Sequence, residues 1–150
     1  MTPAISRILV ATDFSASADA ALAYALKLAD QVGATVRLVH VFEDPDAVSL
    51  YSEVYVPMPP ELRAKILADI GGQLTARATA TGHSNITTEV LTGATAQTIV
   101  VGAAEQQCDL IVMGTHGRHG MAHLLMGSVA ERVVRTAACP VLVVPTPATK

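Results

Sequence analysis

Five short runs rich in β-branched residues recur along the chain: RILVAT (7–12), TVRLVHV (35–41), ITTEVL (86–91), DLIVMG (109–114) and PVLVVP (140–145). Several are apolar with almost no polar alternation. A strand that is half in water alternates, whereas one covered on both faces need not. The runs therefore read as strands sandwiched between other layers, and the intervening segments must supply those layers.

Those segments have the matching period. Across 16–32, Ala18, Ala21, Leu22, Ala25, Ala29 and Val32 recur at i, i+3, i+4 spacing, with Ser15 placed to cap the helix and Gly33 to stop it. Across 60–82, Leu62, Ile66, Ile70 and Leu74 form an i+4 stripe ending at Gly82. Gly71 and Gly72 interrupt it at a cost of ~1 kcal/mol each relative to Ala, which argues against an unbroken helix. The segment 95–106 is ambiguous: Ile99, Val100 and Val101 favour a strand locally and Gly102 weakens a helix. Strand-like runs on both sides demand a crossover, so it is read as a helix. A last helix is expected from Ser128, where Ser128 and Glu131 have the S-x-x-E spacing of a capping box.

Strands alternating with helices predict an α/β fold with an open parallel sheet and helices on both faces, as one domain over 1–150. The long connection 42–59 reads either as a lid or binding loop or as an insertion without a role. Net charge is −3, and aromatics number three Tyr, two Phe and no Trp. Neither an electrostatic footprint for nucleic acid nor a base-stacking platform is expected. No apolar stretch approaches the ~20 residues of a membrane span, and the N-terminus lacks a signal-peptide layout, so the expected location is cytoplasmic. Cys108 and Cys139 each precede a strand run and read as small packing residues that could lie close together.

The stretch GTHGRHGMAHLLMGS (114–128) connects the fourth strand run to the last helix. Gly114, Gly117, Gly127 and Ser128 stand in it at G-x2-G-x9-G-S. By composition that spacing is expected on the order of 0.006 times in such a chain. In open parallel sheets ligands bind beyond the carboxyl ends of the strands, where this stretch lies. Glycines allow close backbone approach and positive φ, Gly127 and Ser128 open a helix N-terminus toward an anion, and Arg118 adds a fixed positive charge. The pattern is that of a phosphate cradle. It is neither a P-loop, which needs G-x-x-x-x-G-K-[ST], nor a dinucleotide fingerprint, which needs G-x-G-x-x-G after the first strand. His116, His119 and His123 lack the helix or companion carboxylates of a metal site, so no metal is expected there.

With these residues in view, the chain resembles the universal stress protein family, specifically its ATP-binding branch. The likeness runs through ILVATDFSASADAAL, VRLVHV, DLIVMGTHGRHG and MGSVAERVVRTAACPVLVVP. The resemblance implies a Rossmann-like five-stranded parallel sheet in order 3-2-1-4-5. It places Asp13 near a ribose with Ala11 and Thr12 beside it, Val41 and Met113 around an adenine, and Gly114 on the ribose. Gly117, Arg118, Gly127, Ser128 and Val129 would hold phosphates. It implies ATP, AMP or ADP as ligand, with or without Mg2+, and a homodimer paired through the last strand, Val141 to Val144. A nucleotide-binding regulator is the leading reading; a slow ATPase or phosphotransferase and a nucleotide-free interaction module are the alternatives.

Overall fold

The computed structural model describes residues 4–48, 55–115 and 126–146. Its five strands are β1 (Arg7–Ala11), β2 (Thr35–Phe42), β3 (Ile86–Thr92), β4 (Leu110–Gly114) and β5 (Val141–Val144). They form one sheet in the order β3-β2-β1-β4-β5, with every neighbouring pair parallel. The expected order is borne out, and each strand lies within two residues of its predicted limits.

The connections are helices: α1 (Ala16–Val32), α2 (Pro45–Val48), α3 (Pro60–Ala80), α4 (Thr95–Glu105) and α5 (Ser128–Thr136). Ser15 Oγ accepts the Ala18 amide at the start of α1, and Gly33 closes its end at φ 73°. The ambiguous 95–106 segment is α4, so the need for a crossover overrode the local strand preference. α3 runs unbroken through Gly71 and Gly72. The short α2 was not foreseen.

The sheet divides the core into two layers, and successive residues of a strand serve opposite ones. Ile8 and Val10 of β1 and Leu110 and Val112 of β4 pack with Ala21, Leu22, Ala25 and Leu26 of α1 and Leu74 of α3. Leu9, Ile111 and Met113 face the other way, onto Ala96 and Ile99 of α4 and Ala130 and Val133 of α5. Burial on both faces explains the missing polar alternation. Cys108 and Cys139 are half-buried free thiols against the second layer. Burial pushes both thiols up, and the Cys139 charge adds to the rise at Cys108. Among the described residues no helix is long and apolar enough to cross a membrane.

Asp109 joins the amino ends of the two central strands. Its Oδ2 accepts from Ser6 N at 2.8 Å, Ser6 Oγ at 2.9 Å and Arg7 N at 2.9 Å. These bonds hold the carboxyl below its ordinary value of 3.8. Because the folded value is the lower one, the stabilisation is complete above the unfolded value near 3.9 and is lost as pH falls through the folded value. Asp109→Asn is therefore expected to lower the urea midpoint at pH 7. The gap to wild type should narrow progressively below about pH 4.

Candidate functional site

The carboxyl ends of β1, β2 and β4 lie side by side. Ala11 pairs with Val39 and Val10 with Val112. β2 and β4 run to Phe42 and Gly114, so Val41, Met113 and Gly114 end at this edge with Ala11, and Thr12 and Asp13 follow Ala11 directly. Six of the sequence-predicted residues thus share one edge of the sheet. Val41 and Met113 are only 8% and 6% exposed, part of the layer beneath α4 and α5.

The turn from β1 into α1 is built from short local bonds. Thr12 N donates to Val39 O at 2.9 Å, extending the sheet by one bond. Thr12 Oγ1 accepts from Phe14 N at 3.0 Å, and Asp13 Oδ1 accepts from Ser15 N at 3.0 Å. Between them Phe14 adopts φ 67°. An aromatic residue in that region costs roughly 1–2 kcal/mol, so surrounding contacts must impose the conformation. His40 and Arg77 provide them. The His40 ring stacks on Phe14 with centroids 4.8 Å apart, and its Nδ1 lies 2.7 Å from Thr12 O. A carbonyl can only accept, so Nδ1 carries the proton. Arg77, near the end of α3, donates through Nη2 to Phe14 O at 3.0 Å and through Nη1 to Asp19 in the first turn of α1. Its guanidinium carbon stands 5.2 Å from the Phe14 ring centre.

On the β4 side the chain leaves and returns at one point. Gly127 N donates to Thr115 O, and Thr115 N donates to Val144 O at 3.1 Å. Gly127 is the N-cap of α5 in extended backbone (φ −70°, ψ 162°), and no side chain among the described residues caps this helix. The expected capping box does not form. With its amide drawn to Thr115 and its carbonyl accepting Glu131 N, Gly127 takes the cap position and Ser128 becomes the first helical residue. Glu131 pairs instead with Arg135, at 2.7 Å. The Ser128, Val129 and Ala130 amides precede the first intrahelical bond, so they have no acceptor within α5. Such a helix end attracts negative charge.

Positive φ, one of the two reasons expected for the glycines of this stretch, does not apply at Gly114. Among the described residues the glycines with positive φ are Gly33, Gly82 and Gly93, so neither Gly114 nor Gly127 uses that freedom. A Cβ on Gly114 would press on Ser17 Oγ and stand 3.0 Å from the carbonyl carbon and oxygen of Ser17. The first turn of α1 lies directly against the end of β4. Ser17 is 6% exposed, and its hydroxyl has no hydrogen-bond partner among the described residues.

Beside α5 opens a cavity of about 610 Å³, lined among others by Glu43, Thr95, Ser128, Val129, Arg132 and Arg135. Two helix N-termini face it, and one is already occupied: Glu43 Oε1 accepts from both Thr95 N and Thr95 Oγ1. On the far side of β2, Arg63 of α3 pairs with Asp44 and Asp46. The Met58 amide, the Tyr55 hydroxyl and Arg63 together hold the Asp46 carboxyl below its usual range.

The structure thus brings Ala11, Thr12, Asp13, Val41, Met113 and Gly114 to one edge, with Gly127, Ser128 and Val129 tethered to it through Thr115. Gly117, Arg118 and the three loop histidines lie outside the described residues. Among the described residues no group of three His, Cys, Asp or Glu converges as metal ligands. Sequence reasoning missed His40, Arg77, Ser17 and Glu43. For Arg77 no local signal existed, since it acts 63 residues away from Phe14.

Comparison with known proteins decides the family. The profile described as the universal stress protein family matches residues 4–145. This chain belongs to the universal stress protein family. It is 35% identical over 144 residues to universal stress protein MJ0531 of Methanocaldococcus jannaschii, covering 94% of this chain and 82% of the relative. It is 36% identical over 139 residues to a universal stress protein of Thermus aquaticus, covering 91% and 96%. The solved structure of MJ0577 superposes with a TM-score of 0.80 at 25% identity, over 98% of this chain and all of that one. A universal stress protein solved in complex with cAMP superposes with a TM-score of 0.68 at 27% identity, over 97% and 100%. The sheet order and the flanking helices are those of universal stress protein structures.

Proposed function

We propose that this universal stress protein binds an adenine nucleotide across the carboxyl edge of β1, β2 and β4, and that occupancy regulates a partner or its own assembly. The observation that carries the reading is the N-terminus of α5, which no described side chain caps and which the Gly127–Thr115 bond holds at the carboxyl end of β4. The cAMP complex of a 27% identical relative supports the same ligand class. In this reading Val41 and Met113 border the adenine, Asp13, with Ala11 and Thr12 beside it, and Gly114 face the ribose, and the Ser128 and Val129 amides take phosphate oxygens. Gly117 and Arg118 complete the phosphate end.

The described donors at that end are N–H groups and a hydroxyl, which suit an anion rather than a cation. Mg2+ would accompany ATP on its phosphates. Calorimetry with ATP, AMP and cAMP tests the reading, together with thermal melts. A ligand at 100 times its Kd should raise stability by about 2.7 kcal/mol. No heat and no shift with any of the three at millimolar concentration overturns it. A homodimer through Val141 to Val144 and a cytoplasmic location belong to the same proposal. Loss of the dimer in Val143→Asp, read by sedimentation, would support the first.

A further inference from the structure

The Phe14 turn is held in place by two residues to which the nucleotide reading gives no ligand contact, His40 of β2 and Arg77 of α3. We infer that His40 and Arg77 are positioning residues that set nucleotide affinity by holding Phe14 in its left-handed conformation and with it the neighbouring Asp13; this rests on the nucleotide reading above. Three observations converge. Phe14 sits at φ 67° without being glycine. Arg77 grips both sides of that residue, bonding its carbonyl and covering its ring, and reaches Asp19 beyond it. His40 packs on the same Phe14 ring and bonds Thr12 O, the carbonyl two residues upstream. The nucleotide reading assigns neither side chain to the adenine or the phosphates, yet both hold the segment that carries Asp13.

The consequence is quantitative. A site competent in only a fraction of molecules shows a Kd raised by the inverse of that fraction. Removing one side of the bracket lets Phe14 relax toward negative φ, where Asp13 no longer faces the ribose. A fall in the held conformer to about a tenth weakens binding about tenfold. Arg77 is one-third exposed, and the packing of α3 rests on Leu74 and Ala78 instead, so its removal leaves the core in place.

The experiment pairs ATP calorimetry with amide hydrogen exchange on the full chain. Arg77→Ala and His40→Leu are each expected to raise the ATP Kd about tenfold and to accelerate exchange at Phe14 and Ser15. Exchange at Ile111 and Val112 should stay at the wild-type rate. His40→Asn places an amide N–H where Nδ1–H stands and should remain within about twofold of wild type. In a Phe14→Gly background, where positive φ carries no steric cost, Arg77→Ala should cost much less than in the native chain. Wild-type Kd and turn exchange in Arg77→Ala would overturn the inference. So would a His40→Asn variant as weak as His40→Leu. A wild-type chain that ignores ATP ends the nucleotide reading instead, and the exchange rates then decide the bracket alone.

Discussion

Gly114→Ala is expected to lose about 3 kcal/mol of stability, the upper end of what overpacking costs. For a domain of this size that is a fall in Tm of roughly 6–12 °C. The added methyl meets the Ser17 side chain, which could turn aside, but also the Ser17 carbonyl carbon and oxygen at 3.0 Å, which cannot without moving α1. α1 in turn packs Ala21, Leu22, Ala25 and Leu26 against β1 and β4, so its displacement opens the core. Two companion variants separate the components. Ser17→Ala alone removes a buried hydroxyl that has no partner among the described residues and should hold or raise the urea midpoint. Gly114→Ala combined with Ser17→Ala should recover only part of the loss, since the backbone clash persists. Full recovery would show that the hydroxyl, not the helix, dictates the glycine.

Ser128→Pro separates helix from ligand in the opposite way. Proline suits the first helical position, because the amide it removes has no intrahelical acceptor and its φ is already helical. The preceding residue must be extended, and Gly127 is, at φ −70° and ψ 162°. Thermal stability should therefore change little. The amide proposed to donate to a phosphate oxygen is gone, along with the hydroxyl. A hydrogen bond to a charged group contributes about 1.5–3 kcal/mol, so ATP affinity should fall about 10- to 100-fold. Ser128→Ala keeps the amide and should lose only the hydroxyl's smaller share. Equal affinities in wild type and Ser128→Pro would remove the α5 N-terminus from the site.

The architecture was legible because its determinants are local or topological. Uninterrupted apolar runs mark doubly covered strands, and Ser15 and Gly33 delimit α1 through bonds within five residues. α4 contradicted its own propensity, and only the requirement that parallel strands be joined by a crossover identified it. The errors have a common origin. Whether Ser128 or Gly127 caps α5 depends on a bond from Gly127 to Thr115, twelve residues earlier, and spacing alone cannot show that contact. The reason for glycine at 114 lies in α1, nearly a hundred residues earlier. His40 and Arg77 look like an ordinary strand residue and an ordinary helix cation until the chain folds them onto Phe14.

The clamp of Arg63 on Asp44 and Asp46, with Met58 N donating to Asp46 at 3.1 Å, joins the two ends of the β2–α3 connection. Whatever length of chain is threaded between residues 48 and 55, strand and helix meet at the same point. Closing a loop twice as long costs only about 0.6 kcal/mol more. A reporter peptide could therefore be spliced there, a few residues from the ligand edge, without disturbing the register of any strand.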